Sequence, residues 1–574
     1  MSTPFRRLLL LGAALLACAP LRAREVRVSI AHTFGGEPLQ LDSLRYPAAA
    51  GETVAVTRLS YLLSGFALQA RDGSWIALPD DAAWIDLERR RTGFTLRGVP
   101  PGAYTALRLA VGLDAVVNHA APEKLAPDHP LNPNLNGLHW NWQGGYVFLA
   151  LEGRYRSAAG PASPEGFVYH LARDPNRTVV TMPASLTVGE SGEIALELDV
   201  AALLGGSFQR DGNSTHSRDK DAVAARLTAA LPHAFRAAAI PAPPAAPAPP
   251  PLAELHLPAT YTPYRFTFNR SFPRPNLPRD NPLIEERVQL GKLLFSDPQL
   301  SRDGTVSCAT CHRAENAFAE PARVSRGVGG RTGERNAMPL FNLAWKSAFF
   351  WDGRAATLRE QALVPIQEHR EMDLPLAELA PRLAASASYR RAFAAAFDSA
   401  EVTPERVGLA LEQFLLTLVA GTSKFDRALR GAGAFSPDEQ RGFELFMTEF
   451  DPRTGQRGAD CFHCHGGPLF TDHQFHHNGL PIADGDLGRE AVTHAAADRG
   501  KFATPSLRNL ARTAPYMHDG RFATLEEVVA HYSGPLEHTP TLDPNLAKHP
   551  AGGLQLPAAD QAALVAFLRT LSEE

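Results

Sequence analysis

The chain has 574 residues and a formal net charge of −4, with 44% hydrophobic and 21% charged residues. That length exceeds what one hydrophobic core organises, so two or three domains are expected. The nearly balanced charge gives no reason to expect nucleic acid or an anionic membrane as the main partner.

The N-terminus, MSTPFRRLLLLGAALLACAPLRARE, carries two arginines, an apolar run over residues 8–17 and then small residues. This is a secretory signal over residues 1–23, too short for a stable membrane span. Cleavage after Ala23 leaves Arg24 first. The stretch LLAC ending at Cys18 also fits a lipoprotein processing box, which would leave a lipid-anchored form. Either way an exported, periplasmic protein is expected.

Residues 24–236 read as strands. Val26, Val28 and Ile30 alternate with polar neighbours, as do Ile194, Leu196, Leu198 and Val200. TLRGVPPGAYTALRLAVGL reads as strand, Pro-Gly turn, strand. An antiparallel all-β sandwich follows. Next comes IPAPPAAPAPPPLAEL, a Pro/Ala-rich linker over residues 237–258 that cannot build a core and favours polyproline II. At about 3.1 Å per residue, residues 241–251 would span roughly 35 Å.

Beyond the linker the pattern turns mainly α. Thr403 and Pro404 mark a helix start. Ser436 with Glu439 forms a capping box, and Thr524 starts TLEEVVAHY in the same way. Two related lobes are expected, residues 259–430 and 431–574.

Apart from Cys18, all cysteines fall in CATCH (Cys308, Cys311, His312) and CFHCH (Cys461, Cys464, His465). C-x-x-C-H is the attachment signature of covalent haem c: two thiols add to the vinyl groups and the histidine reaches the iron. Disulfide and zinc readings fit less well, because zinc wants more ligands at the right spacing. Two haems c are expected. Their chemistry depends on the far side of each iron, where an open face binds peroxide and a second strong ligand favours electron transfer.

From about Phe272 to the C-terminus the chain resembles the bacterial dihaem cytochrome c peroxidase and MauG superfamily. The stretches that carry this are LGKLLFSDPQLSRDGTVSCATCH, ERNAMPLFNLAW, FFWDGRAATLREQALVPIQEHREM, CFHCHGGPLFTD and KFATPSLRNLARTAPYMHDGRFATLEEVVAHY. The resemblance implies that His312 is proximal at a peroxide-binding haem and His465 at a second haem. No histidine lies between His312 and His369, so the first haem is expected to be five-coordinate without reductive activation. Fourteen residues after His518, where simple peroxidases carry a methionine ligand, stands Tyr532, the MauG-type ligand. Anionic oxygen ligation would stabilise oxidised iron and store oxidising power. Trp351 matches the tryptophan between the haems, and Gln361, Pro365 and Glu371 match the distal pocket, with Glu371 as acid–base. Asn336, Thr513 and Pro515 match a calcium site of oxygen ligands.

The N-terminal domain resembles the MbnP family of periplasmic copper-binding proteins through SIAHTFGGEPLQL, RLSYLLSGFAL, LHWNWQGGYVFLALEG and FVYHLA. It lacks the four cysteines of many relatives. MbnP proteins are often encoded with MbnH, a MauG-like enzyme that oxidises an MbnP tryptophan to kynurenine; here both partners stand on one chain. The resemblance implies Trp140 or Trp142 as substrate, and His32, His139 and His170 as copper candidates. His463, inside the second haem motif, is expected to have no role.

The reading is a peroxide-dependent dihaem oxidase acting on its own β domain and linked to copper binding. Two alternatives are a conventional peroxidase fed by a small c-type cytochrome, and a copper-binding or electron-transfer module without catalysis. Tyr532 and the missing distal histidine weigh against the first, and the open face expected at the first haem weighs against pure electron transfer.

Overall fold

A computed structural model describes residues 24–79, 82–140, 144–157, 163–188, 192–238, 257–451, 455–482 and 485–574. The leader with Cys18, most of the linker and Trp142 lie outside these residues.

The N-terminal half packs a five-stranded sheet on a ten-stranded one. Val26, Val28 and Ile30 of the Arg24–Phe34 strand are fully buried, facing Leu59, Tyr61, Leu63, Leu149 and Leu151 in one core. The expected purely antiparallel pairing needs correction. Arg24–Phe34 pairs in parallel with Gly192–Asp199, Val28 opposite Ile194 and Ile30 opposite Leu196. Parallel neighbours need a long crossover, and all of the larger sheet except its short strand Ser214–Thr215 intervenes between these two strands. The Pro-Gly turn does not close a hairpin either. Gly93–Val99 pairs with Arg24–Phe34, whereas Gly102–Val111 pairs with Thr53–Ala70, so the turn carries the chain from one sheet to the other. Pro100 and Pro101 have no N–H for a ladder, and the Tyr104 hydroxyl donates to the Pro100 carbonyl at 2.6 Å.

The Gly145–Arg156 strand is buried on both faces. Leu149 and Leu151 point into the sandwich, while Phe148 and Ala150 join a second cluster with Trp84, Leu138 and Tyr146. Its uninterrupted apolar run has this cause: a strand covered on both sides has no solvent face to mark with polar residues.

The helical half is built twice. Helix Glu285–Ser296 crosses Pro404–Leu416 at Gly291, where a Cβ would stand 2.0 Å from the Ala410 carbonyl oxygen. Helix Pro437–Phe446 crosses Ala558–Arg569 at Gly442, where a Cβ would stand 2.0 Å from the Ala563 oxygen. Helices Leu358–Gln367 and Leu525–Ser533 each follow a D-G-R-x-A-T-L-x-E run, with capping boxes Thr357/Glu360 and Thr524/Glu527. Phe425 packs in the second lobe's core, so that core starts ahead of residue 431.

The β domain is docked on the second lobe rather than held away from it. Arg154 donates to the carbonyls of Leu542, at 3.0 and 2.7 Å, and Pro540. Asn545 donates to Glu152 at 3.3 Å, and Ser214 donates to Glu449. Gly166 lies so close to the Pro544 carbonyl that a Cβ would be 2.1 Å from it.

Candidate functional site

Both C-x-x-C-H histidines are held by one device. His312 Nδ1 donates to the Phe318 carbonyl at 3.0 Å, and His465 Nδ1 donates to the Phe470 carbonyl at 3.1 Å. That fixes the tautomer and leaves each Nε2 with a bare lone pair, the state an iron ligand needs. Burial also lowers both imidazole pKa values, favouring the neutral ring. With two thiols beside each histidine, the residues fit a covalently attached haem in each lobe.

In the first lobe a cavity of about 450 Å³ is lined by Cys308, Cys311, His312, Leu411 and Leu415, and by Trp351, Gln361, Pro365 and Glu371. His312 is the sole histidine among the described lining residues. Gln361 and Pro365 lie one turn apart on one helix face. Glu371 follows in the next loop, where its backbone oxygen accepts from Val328 N at 2.8 Å. Gly327 fits here because a Cβ would stand 2.2 and 2.3 Å from the Arg370 and Glu371 oxygens. Burial raises the Glu371 carboxyl to about 6; Glu368 and Glu320 add to this and Arg354 opposes it.

In the second lobe the equivalent helix carries Tyr532. Pro365 and Tyr532 each stand eight residues after the capping threonine, Thr357 and Thr524. The internal repeat thus matches a residue without a donor atom in one lobe to a phenol in the other. This correspondence was present in the sequence, and the repeat would have exposed it. Burial pushes the Tyr532 phenol well up, and its oxygen accepts from Asn478 at 3.4 Å. The same amide reaches Met517 Sδ at 3.5 Å. His531 stands edge-on to the Tyr532 ring at 5.0 Å and bonds the Asn478 carbonyl at 3.0 Å.

Trp351 lies between the lobes. Its Nε1 donates to the Asn336 carbonyl at 2.9 Å, and its own carbonyl accepts from Ala503 N at 2.7 Å. Arg335 ties the same junction together, bridging Asp352 at 2.6 Å and Asp486 at 2.7 Å. Asn336 takes the His518 carbonyl on its backbone nitrogen at 2.8 Å, near Pro515 in the chain, and Thr513 is buried with its hydroxyl on Leu510 O.

Trp140 stands at the interface between the domains. It sits on the short strand His139–Trp140, paired with Gly145–Tyr146. Its ring stacks on His216 (centroids 5.5 Å apart, 29° between planes) and lies 5.9 Å from His170. It lines a small cavity of about 80 Å³ with His139, His170 and, from the second lobe, Phe462 and His463 of the haem motif and Gly466 just after it.

The three copper candidates lie in different surroundings. His32 continues the inward face of Val28 and Ile30, so it enters the sandwich core, bonded to the Tyr61 hydroxyl at 2.9 Å. His139 stands edge-on to Tyr146, with ring centroids 4.6 Å apart. Only His170 reaches a cluster, and its companions are His216 and His463. The expectation of no role for His463 is therefore revised: between the two cysteines its ring turns to the β domain, 4.8 Å from His216 and 5.7 Å from His170. Around it Lys548 pairs with Glu449 at 3.1 Å and Asp460 at 3.2 Å, and His549 bonds Asp460 at 2.7 Å. The grouping of His216, Glu449 and His463 is not legible in the sequence because they lie far apart in the chain, with no common spacing.

Comparisons with known proteins follow this division. The di-haem cytochrome c peroxidase family model matches residues 285–434, and the MbnP family model matches residues 23–219. Methylamine utilization protein MauG of Methylorubrum extorquens is 41% identical over 314 residues, 54% of this chain and 84% of that protein. The crystal structure of a MauG-like protein associated with microbial copper homeostasis is 35% identical, covers 54% of this chain and 96% of its own, and has a TM-score of 0.49. MbnP from Methylosinus trichosporium is 18% identical with a TM-score of 0.27, covering 36% of this chain and 87% of its own.

Proposed function

The chain belongs to the dihaem cytochrome c peroxidase and MauG family and carries an MbnP domain ahead of it, and on that premise we propose that it oxidises Trp140 of its own β domain with hydrogen peroxide, as part of periplasmic copper handling. It is a dihaem peroxidase-type oxidoreductase. When bound, the two haems c supply the peroxide-activating and electron-withdrawing chemistry; the chain supplies proton transfer, positioning and the substrate.

Glu371, near neutrality at its shifted pKa, takes the proton of incoming peroxide and returns it to the departing oxygen. Gln361 and Pro365 shape the same wall, and Pro365 offers no ligand atom. Tyr532 would hold the second haem's iron through its phenol oxygen, with Asn478 orienting that oxygen. Trp351, buried between the lobes, is the aromatic step between the haems. Asn336, Thr513 and Pro515 would hold a calcium ion at this junction, and His170 would hold copper in the β domain.

One observation carries the reading: Trp140 shares a cavity with Phe462 and His463 of the second haem motif, and with Gly466 just after it, in the same chain. An electron can leave the indole over a short aromatic path without the ring entering the first cavity. The overall balance is two hydrogen peroxide molecules per indole. Two oxygens add across the ring double bond to give N-formylkynurenine and two waters, and hydrolysis then releases formate and leaves kynurenine.

Peptide mass spectrometry on holoprotein before and after peroxide tests this. Oxygen gain on the residue 137–146 peptide, lost in Trp140→Phe and kept in Trp142→Phe, is expected. An unmodified peptide beside fast turnover of a reduced small cytochrome c would replace this reading with that of a conventional peroxidase.

A further inference from the structure

We propose that His170 and His216 of the β domain, together with His463 of the second haem lobe, form one transition-metal site shared between the two domains. The assignment goes beyond the reading above, since it holds whether or not Trp140 is oxidised.

The ligand atoms of the three histidines lie within 4.8 Å of one another. All three side chains are buried, with 7%, 2% and 2% of their surface exposed. His170 Nδ1 faces His216 Nε2 at 3.2 Å. Two nitrogens each about 2.0–2.1 Å from a tetrahedral ion stand about 3.3 Å apart, so this separation suits ligands of one ion.

The outer nitrogens strengthen the case. His170 Nε2 lies 2.9 Å from Glu152 Oε1, and His216 Nδ1 lies 2.6 Å from Glu449 Oε2. Each carboxylate is fixed in turn, Glu152 by Arg58 at 2.8 Å and Glu449 by Lys548 at 3.1 Å. A carboxylate that takes the outer N–H leaves a bare lone pair on the inner nitrogen. With His170 in that tautomer, its bare Nδ1 faces His216 Nε2 at 3.2 Å in a buried space, a geometry that suits a shared cation.

The haem lobe supplies two parts of this centre: the ligand His463 and the orienting Glu449. The β domain alone holds only two of the three imidazoles. An all-imidazole set suits copper or zinc, and copper stands highest in the affinity order of the divalent ions. The small cavity bordered by Trp140 and His139 adjoins the same cluster and leaves room for a further ligand.

The test uses full-length, haem-loaded protein stripped with a chelator and titrated with Cu(II), and separately with Zn(II). One ion per chain is expected. His463→Ala should weaken binding by about 10- to 100-fold or more, judged by what a lost oriented partner costs at metal sites. The nitrogen splitting of the Cu(II) resonance should fall from three nitrogens to two. Glu449→Gln, which keeps all three ligands, should weaken binding less than His463→Ala. Unchanged haem content and Soret spectrum would show that each variant is folded. His119→Ala, at an exposed histidine outside the cluster, should bind as the wild type does.

Unchanged affinity and an unchanged three-nitrogen spectrum in His463→Ala would overturn the shared site, as would no stoichiometric binding in the wild type. Mass spectrometry of the Trp140 peptide on the same samples separates the two proposals. Metal bound through His463 beside unmodified Trp140 would sink the oxidation reading alone. Oxidised Trp140 beside metal binding indifferent to His463 would sink this one alone.

Discussion

The two helical lobes hold their C-x-x-C-H histidines alike and differ in what faces them. Each imidazole donates to a phenylalanine carbonyl a few residues on, and each lobe packs two helices through one glycine. Opposite His312 stands a roomy cavity with Pro365 and Glu371; on the helix equivalent to that of Pro365, the second lobe carries Tyr532, and it packs against the β domain. A repeated scaffold thus holds the two motif histidines alike, while one helix position sets a proline in one lobe against a buried phenol in the other. The lesson is that duplication conserves what packing demands and frees what chemistry uses.

The largest expected effect breaks the first side of this comparison. Glu371→Gln should lower peroxide turnover by about 10²- to 10⁴-fold, the usual contribution of a positioned acid–base group. The wild-type rate should rise with pH through about 6, as the carboxylate forms, and the variant should lose that inflection. Stability should move the other way. A carboxyl raised above its unfolded value costs the folded state stability as pH rises through that window. At pH 7 the glutamine variant should therefore be more stable, by about 1–2 kcal/mol in urea titration.

Next comes the interior. Arg508 grips Asp426 with two bonds, 2.8 and 3.0 Å, and both side chains are about fully buried. Arg508→Ala leaves an uncompensated carboxylate and should cost about 3–5 kcal/mol by denaturant melting. The scaffold symmetry itself is tested by Gly291→Ala and Gly442→Ala. Each Cβ meets a facing carbonyl at 2.0 Å, so each should cost about 1–3 kcal/mol, and equal losses are expected. A large loss in one lobe only would show that the lobes share topology without sharing packing.

Tyr532→Met sharpens the second side and should change stability least. A thioether favours reduced iron over a phenolate, so the second haem's potential should rise and Trp140 oxidation should fall. Peroxide binding at the first lobe should persist, as read from its spectrum. Loss of both activities together would mean the lobes do not divide the labour.

Acid should loosen the docked domains. Burial lowers His170 to about 4 and His463 to about 3, so both are neutral in the folded protein. Unfolded or undocked chain takes up protons below about 6.5, so this contribution is lost progressively as pH falls from there toward 4. Scattering at stepped pH would follow the opening.

Short-range covalent and steric rules made much of this protein legible. The haem attachment points are set by neighbouring residues, since two thiols and a histidine must meet one ring. Val26, Val28 and Ile30 declared their buried face by alternation, and Thr403, Ser436 and Thr524 declared helix starts, because caps act within one turn. The repeat that pairs Pro365 with Tyr532 is equally local, since each follows its capping threonine by eight residues.

What the order of residues could not declare is which distant side chains share a space. His32 looked like a ligand and is core, because its strand's alternation aims it inward. His463 looked idle and faces His170 and His216, because the β domain docks on the second haem motif. Burial, tautomer and metal-ready geometry arise only where separate surfaces meet, and that meeting depends on the shapes of two folded domains rather than on any spacing along the chain.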